Sequence, residues 1–300
     1  MTRAAQALTR RQSNLRSIYA MLVAVAAFSV MDTTMKLLAA QFPAMQVASL
    51  RSLASLPLVL AWTGWRGAYR TAFQVNWRLQ VFRAGLGIAM LALFAYGVRQ
   101  LSLASAYSIF FIGPILITAL SVFILKEKVN AARWVAIGVG MAGVLVVLRP
   151  DADGFLSIGG LAILAAAAMY AVSAIAARVL ARTDRSEHMM LWLMIMMAIG
   201  ATALAWPDWQ AVHLSHLPLL CILAVSGFFA QLAINEAFSH GEASVVAPFE
   251  YSALAWGVAI DWVLWHTLPD RYTLIGAAII IGSGLYLLRH ESFHAESEHP

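Results

Sequence analysis

Charge is scarce in this chain. Only 12% of its 300 residues are charged while 61% are hydrophobic, whereas a soluble globular domain carries about 25% charged residues. An ordinary soluble domain is therefore excluded, and an integral membrane protein is expected. Cysteine is nearly absent: Cys221 stands alone inside an apolar run, so no intramolecular disulfide can form and a packing role is expected. The usual catalytic signatures are missing too, with no HExxH, no GxSxG and no phosphate-binding glycine loop, so neither an enzyme nor a cofactor is expected. His213 and His216 sit three apart in a connection near Asp208, and His290, His294 and His299 lie in or beside the acidic tail Glu291–Pro300. Neither group has the setting of a metal site, and none is assigned. The net charge of +5 is dispersed among short connections with no basic stripe or interleaved aromatics, which excludes a nucleic-acid partner. Long polar linkers and soluble inserts are also lacking.

What is present is a succession of about ten apolar runs, near 18–38, 44–62, 79–98, 101–125, 132–148, 158–178, 188–206, 217–238, 243–265 and 273–288. A helix of roughly 20 residues, rising about 1.5 Å per residue, crosses the hydrocarbon layer. The runs are continuous and rich in Ala, Leu, Val and Met, without the alternation of a barrel strand, so they predict membrane-spanning helices. The first run leads into Asp32 and Lys36 with no small-residue cleavage site, so it is expected to persist as a helix rather than to be removed as a signal peptide.

The chain is organised around Leu101–Leu148, an apolar hairpin with the charged elbow Lys126-Glu127-Lys128. Its second arm carries Gly138, Gly140 and Gly143, small residues that let a neighbouring helix approach. A similar hairpin recurs at Glu242–Arg289. Ala104-Ser105 returns as Ala243-Ser244, Ile137-Gly138 as Ile275-Gly276 and Leu148-Arg149 as Leu288-Arg289, with Trp265-His266 in place of the elbow charges. Alternate connections and ends hold fifteen of the twenty Lys and Arg residues, while the intervening connections hold Arg99, Arg149 and Arg271. The positive-inside rule then places both termini in the cytoplasm, which requires an even number of crossings. Ten helices in two halves means five per half, and an odd unit that starts inside ends outside. The second copy is thus inverted, an arrangement used by carriers that alternate access around a site between the halves. The expected units are 1–17, a cytoplasmic segment; 18–149 and 150–289, the two five-helix repeats; and 290–300, a cytoplasmic tail.

A proline-containing helix, Leu125-Lys126-Glu127-Lys128, then Trp134, Gly138 and Gly143, resembles the EamA-type repeat of the drug/metabolite transporter superfamily. The opening with Asp32, Lys36, Gln46 and Arg51, and the segment Ala243-Ser244 with Ala247-Pro248-Phe249-Glu250-Tyr251, are similar to the same family. The resemblance implies an all-α membrane protein of ten helices, with a central cavity lined by both halves and the last helix of each half packing outside. It implies a secondary carrier of a bacterial-type inner membrane, exporting amino acids, aromatic ones included, or related metabolites. Uptake of a nucleoside-bearing metabolite such as S-adenosylmethionine is the alternative within the class; an intramembrane enzyme or a non-transporting scaffold is the alternative outside it. The expected partners are a small-molecule substrate and the lipid bilayer, with the chain a monomer or homodimer. In place of the second acidic elbow, Asp270 is the residue that could take over the role of Glu127.

Ionisable groups inside a membrane cost roughly 2.5–3.5 kcal/mol each on insertion scales and are functional candidates by default. Asp32 and Lys36, four apart on one helix face, can neutralise each other, giving a structural or gating pair. Arg51 lies mid-span and needs a partner, a backbone carbonyl or Asp32. Arg83 is near enough to its helix end to snorkel. In the second half Gln231, Asn235, Ser244, Glu250 and Tyr251 are candidates to bind the cargo, with Glu250 facing the cavity. Pro114 and Pro248 are candidate helix bends, since proline frees a carbonyl that a cavity-lining helix can use. Tyr96, Tyr107, Tyr170 and Trp256 fall inside spans and are candidates to touch an aromatic or apolar moiety. Trp62, Trp65, Trp134, Trp206 and Trp209 fall near span ends and suit the headgroup belt. The Met-rich run Met189–Met197 is expected to face lipid.

Overall fold

The computed structural model describes residues 3–101, 103–149, 157–266 and 270–293. The tail residues His294 and His299 lie outside the described residues. Ten helical spans are long and apolar enough to cross a membrane: span 1 Ser13–Ala39, span 2 Ala44–Trp65, span 3 Trp77–Gly97, span 4 Ser105–Leu125, span 5 Ala131–Leu148, span 6 Ile158–Leu180, span 7 Ser186–Asp208, span 8 Leu214–His240, span 9 Ala243–Leu264 and span 10 Arg271–His290. No strand occurs among the described residues. Hydroxyls inside span 1 are satisfied within the helix: Ser29, Thr33 and Thr34 each donate to the carbonyl four residues back, as a donor in hydrocarbon must.

Two spans are broken, and they hold the same place in each half. Span 4 consists of the helices Leu103–Phe110 and Gly113–Leu120 followed by a wide turn, Ser121–Leu125. Pro114 opens the second helix, where its missing N–H costs nothing. Span 9 begins as Ala243–Val246, tightens into a 3₁₀ turn at Ala247–Tyr251 containing Pro248, and resumes as Ser252–Trp265. Both end on a left-handed residue, Lys126 at φ 57° and His266 at φ 51°. The elbow geometry is thus repeated although its charges are not.

Packing follows an exchange of each span with the span five places on. Span 1 lies along span 8 as span 6 lies along span 3; span 2 pairs with span 7, and span 5 with span 10; span 4 rests on span 6 as span 9 rests on span 1. At the crossing of spans 5 and 10 the backbones meet through two glycines. A Cβ on Gly276 would lie 2.7 Å from the Gly143 carbonyl, and one on Gly143 would lie 3.0 Å from the Gly276 carbonyl. Gly138 has open space instead.

Side-chain bonds between connections define two faces. On the terminal face, which carries both chain ends, Ser13 donates to the His240 carbonyl at 2.6 Å, Arg66 to Glu187 at 2.9 Å, and Ser244 to Glu127 at 2.8 Å. On the opposite face Gln46 and Gln210 are doubly bonded, His216 meets Gln41 at 2.8 Å, and Arg149 pairs with Asp270.

Three expectations are corrected here. Met189, Met190, Met194 and Met197 are buried rather than lipid-facing, because span 7 packs Met190 and Met194 against span 2, Met189 against spans 3 and 6, and Met197 against Gly87 of span 3. Cys221 is exposed on the outside of span 8, so it is not a core packing residue. Arg83 does not snorkel: it is only 6% exposed, drawn inward by a side-chain partner on span 8.

Candidate functional site

The site is assembled from spans that are neighbours only in three dimensions. Asp32 of span 1 is exposed and Arg51 of span 2 half-buried. Asp32 acts electrostatically on both Arg51 and Tyr107 of span 4. Arg51 also lies over the ring of Phe28, 5.7 Å from its centroid. Arg51 is thus a charge neighbour of Asp32, one of the two partners the sequence offered for that arginine.

From Tyr107 a run of rings leads inward. Tyr107 meets Phe94 of span 3 at 5.7 Å between centroids, Phe94 meets Phe110 at 5.3 Å, and Phe110 meets Tyr170 of span 6 at 5.7 Å. These are ordinary aromatic-pair separations. At the end of the run the Tyr170 hydroxyl donates to Glu250 Oε1 at 2.9 Å. Glu250 occupies the 3₁₀ turn of span 9, so the break at Pro248 is what aims its carboxylate at span 6 rather than along a continuous helix. Two members of the run, Phe94 and Phe110, were not singled out from sequence: nothing in their sequence setting separates them from other span phenylalanines.

Deeper towards the terminal face the polar groups are buried. Arg83 of span 3 donates through Nη2 to Asn235 Oδ1 at 3.0 Å, and Gln231 donates to the same oxygen at 3.1 Å. Gln80, on the same side of span 3, donates to Asp184 at 3.0 Å. Beyond this layer the terminal face is closed. Arg133 reaches Glu242 at 2.6 Å and Ser244 at 3.0 Å, Glu127 accepts from the Ala243 and Ser244 amides, and Arg178 donates to the Phe238 and Ser239 carbonyls. These bonds tie spans 5, 6, 8 and 9 together at the terminal face.

Of the residues singled out from sequence, the structure brings together Asp32 with Arg51 and Tyr107, Tyr170 with Glu250, and Gln231 with Asn235. Ser244 belongs to the closing network at the elbow. Tyr251 is fully buried against Gly140 in the seam between spans 5 and 10, apart from the ring run. Tyr96 and Trp256 are exposed at 46% and 44%, and the described contacts join neither to the cluster. Asp270 takes a role different from that of Glu127: it caps span 10 through the Thr273 amide at 2.9 Å. The Arg149 guanidinium beside it, together with that cap, holds its carboxyl well below the usual carboxylate range. Among the described residues no His, Cys, Asp and Glu cluster could hold a metal.

A ten-span bundle of two similarly packed halves, with charged and aromatic side chains brought together between them, fits a membrane carrier. The chain belongs to the EamA-like transporter family, which it matches over residues 15–149 and again over 157–289. It is similar to the riboflavin transporter of Vibrio cholerae, at 30% identity over 93% of this chain and 94% of that one. It is similar also to the S-adenosylmethionine uptake transporter of Rickettsia prowazekii, at 27% identity over 95% and 96%, and to the pseudopaline exporter of Pseudomonas aeruginosa, at 24% over 87% and 92%. A solved crystal structure shares the fold with a TM-score of 0.79 at 19% identity, over 94% of this chain and 98% of that one.

Proposed function

We propose that this chain is a secondary carrier for a small metabolite built on a planar heteroaromatic ring with a polar tail, moved by alternating access between the two halves. The observation that carries the reading is the run Tyr107, Phe94, Phe110 and Tyr170, laid between the Asp32/Arg51 charges and Glu250. Rings meeting tilted or edge to face offer a flat cargo π-surface at low entropic cost, and the polar groups at either end fix its orientation. Relatives named for riboflavin and for S-adenosylmethionine support this cargo class. Export of amino acids, the function implied by the resemblance alone, is not the activity named for these relatives; of the amino acids, the aromatic ones suit the same rings. With no nucleotide-binding motif in the chain, the driving force is a gradient of the cargo or of a coupled ion. Both termini are assigned to the cytoplasm by the excess of Lys and Arg on the terminal face.

The test is uptake and counterflow in proteoliposomes with radiolabelled riboflavin, S-adenosylmethionine, phenylalanine and alanine, with and without a pH gradient. Movement of a heterocycle above the protein-free background is expected. Movement of alanine with neither heterocycle transported would sink the reading.

A further inference from the structure

The layer beneath the ring run has more donors than acceptors. Asn235 Oδ1 already accepts from both Arg83 and Gln231. Arg83 Nε, Arg83 Nη1 and Asn235 Nδ2 are buried with no hydrogen-bond partner. Arg83 and Asn235 are 6% and 1% exposed, so bulk water does not meet these groups. No carboxylate answers the guanidinium. Asp184 is occupied by Gln80 and by the Asn76 amide at 3.1 Å, Glu250 by Tyr170, and no ion pair joins Arg83 to either among the described residues. Glu236, next to Asn235, pairs with Arg16 and His240 instead, and the buried acceptor Gln80 Oε1 is neutral and cannot balance a charge. Buried polar groups in native proteins are nearly always paired, and an isolated buried ion costs several kcal/mol. A cation left in this state is waiting for something that the folded chain does not itself supply.

We propose that Arg83 and Asn235 form the docking point for a carboxylate of the cargo, on its way between the ring-lined cavity and the terminal face. The unmatched charge is single, which fits a carboxylate; a phosphate dianion would replace one uncompensated charge by another. The geometry also places the site on the transport route. Arg83 interacts electrostatically with Tyr170, the last ring of the run, and Asn235 belongs to span 8, which must part from span 3 for the terminal face to open. This deepens the cargo class proposed above and rests on it. A cargo with a ring and a carboxylate, as in S-adenosylmethionine, meets both parts of the site, whereas neutral riboflavin leaves Arg83 unanswered.

Counterflow in proteoliposomes tests this with probes paired to differ only in the carboxylate: S-adenosylmethionine against its decarboxylated form, and phenylalanine against phenylalaninamide, with riboflavin as the neutral heterocycle. Wild type, Arg83→Gln and Arg83→Lys are compared at equal incorporated protein, with melting temperatures taken alongside. In a transported pair the carboxylate member is expected to move at least tenfold better in wild type. Arg83→Gln should bring it down to the level of its partner without changing the partner, and Arg83→Lys, which keeps the charge, should retain part of the preference. Because Arg83→Gln removes an uncompensated buried charge, its melting temperature should be unchanged or higher. Equal movement of both members in wild type, or an equal fall of both in Arg83→Gln, overturns the proposal. The two readings part cleanly. Riboflavin moving best and unaffected by Arg83→Gln leaves the ring class standing and removes the docking point. Phenylalanine moving with an Arg83-dependent preference, with neither heterocycle transported, does the reverse.

Discussion

At the terminal face Arg133 and Glu242 form an ion pair whose side chains are 7% and 9% exposed; at the opposite face Arg149 and Asp270, joining the same two hairpins at their other ends, are each 48% exposed. The chemistry is the same and the surroundings are not. Around the first pair Glu127 holds the start of span 9 by its backbone amides, and Arg178 ties span 6 to the end of span 8. Around the second the partners are exposed as well, with Arg149 over the Tyr272 ring and Asp270 on the Thr273 amide. A protein whose halves pack by exchanging each span with the span five places on carries equivalent ties at its two faces, and the one at the terminal face is the buried one.

If the two faces are truly opposed across a membrane, the outcome of labelling is all or none. With Cys221→Ala removing the one exposed native thiol, Ser186→Cys should react with an impermeant maleimide only from the cytoplasmic side, and Ala211→Cys only from outside. Reaction of both from one side would break the comparison outright.

Next in size is the buried pair. Arg133→Met strands the Glu242 carboxylate at the terminal face, and breaking a buried pair by removing one partner costs about 3–5 kcal/mol; a large fall in melting temperature is expected. Arg149→Gln at the exposed pair should leave the melting temperature within error of wild type near neutral pH. Its contribution has a defined sign. The Asp270 carboxyl is depressed by Arg149, so whatever the pair adds is present above the ordinary carboxylate range and fades as pH falls below it. Equal losses for the two variants would show that burial does not separate the faces.

The crossing of spans 5 and 10 supplies a middle effect. Gly276→Val drives a side chain into the Gly143 carbonyl, and overpacking of this kind costs about 1–3 kcal/mol, to be read as lower folded yield in detergent. Gly282→Leu, on the same span, should be silent, because a Cβ there meets open space and the residue is exposed. A stability loss at Gly282 matching that at Gly276 would point to a second chain covering this surface.

The smallest structural effect belongs to Glu250→Gln. The amide oxygen can still accept from Tyr170, so melting temperature should hold, while transport or its response to a pH gradient falls about tenfold, equivalent to about 1.4 kcal/mol in a barrier. An active, pH-responsive Gln variant would confine Glu250 to a hydrogen-bonding role, and Glu250→Ala would then lower stability instead.

Spans 4 and 9 show how far single-chain pattern reaches. Their elbows were visible as breaks in hydropathy, and both resolve into left-handed ends at Lys126 and His266 even though only one is charged. The prolines, at unequal offsets in the two halves, still mark the overlapping breaks at Phe111–Ile112 and Ala247–Tyr251, since loss of a backbone donor acts locally. Arg83 went the other way. Its nearness to a helix end favoured an outward path, and only the arrival of Asn235 from span 8 turns it inward. Similarly, no period in Met189–Met197 told a lipid face from a protein face, because a span that is apolar all round carries no amphipathic stripe to read.

The sequence alone determined the number of crossings, their helical form, the even count that puts both ends on one face, and the candidate polar residues. Each of these follows from local physics: the rise of a helix against the thickness of hydrocarbon, the cost of unpaired backbone groups in lipid, and the distribution of Lys and Arg among connections. Only the tertiary structure decided that span 1 lies on span 8, that Asp32 neighbours Arg51, that Tyr170 meets Glu250, and that Arg83 is left without a counter-charge. Those facts join residues up to about two hundred positions apart, and in an apolar helix the face that meets a partner is chosen by shape and by a few buried polar atoms, which no local pattern records.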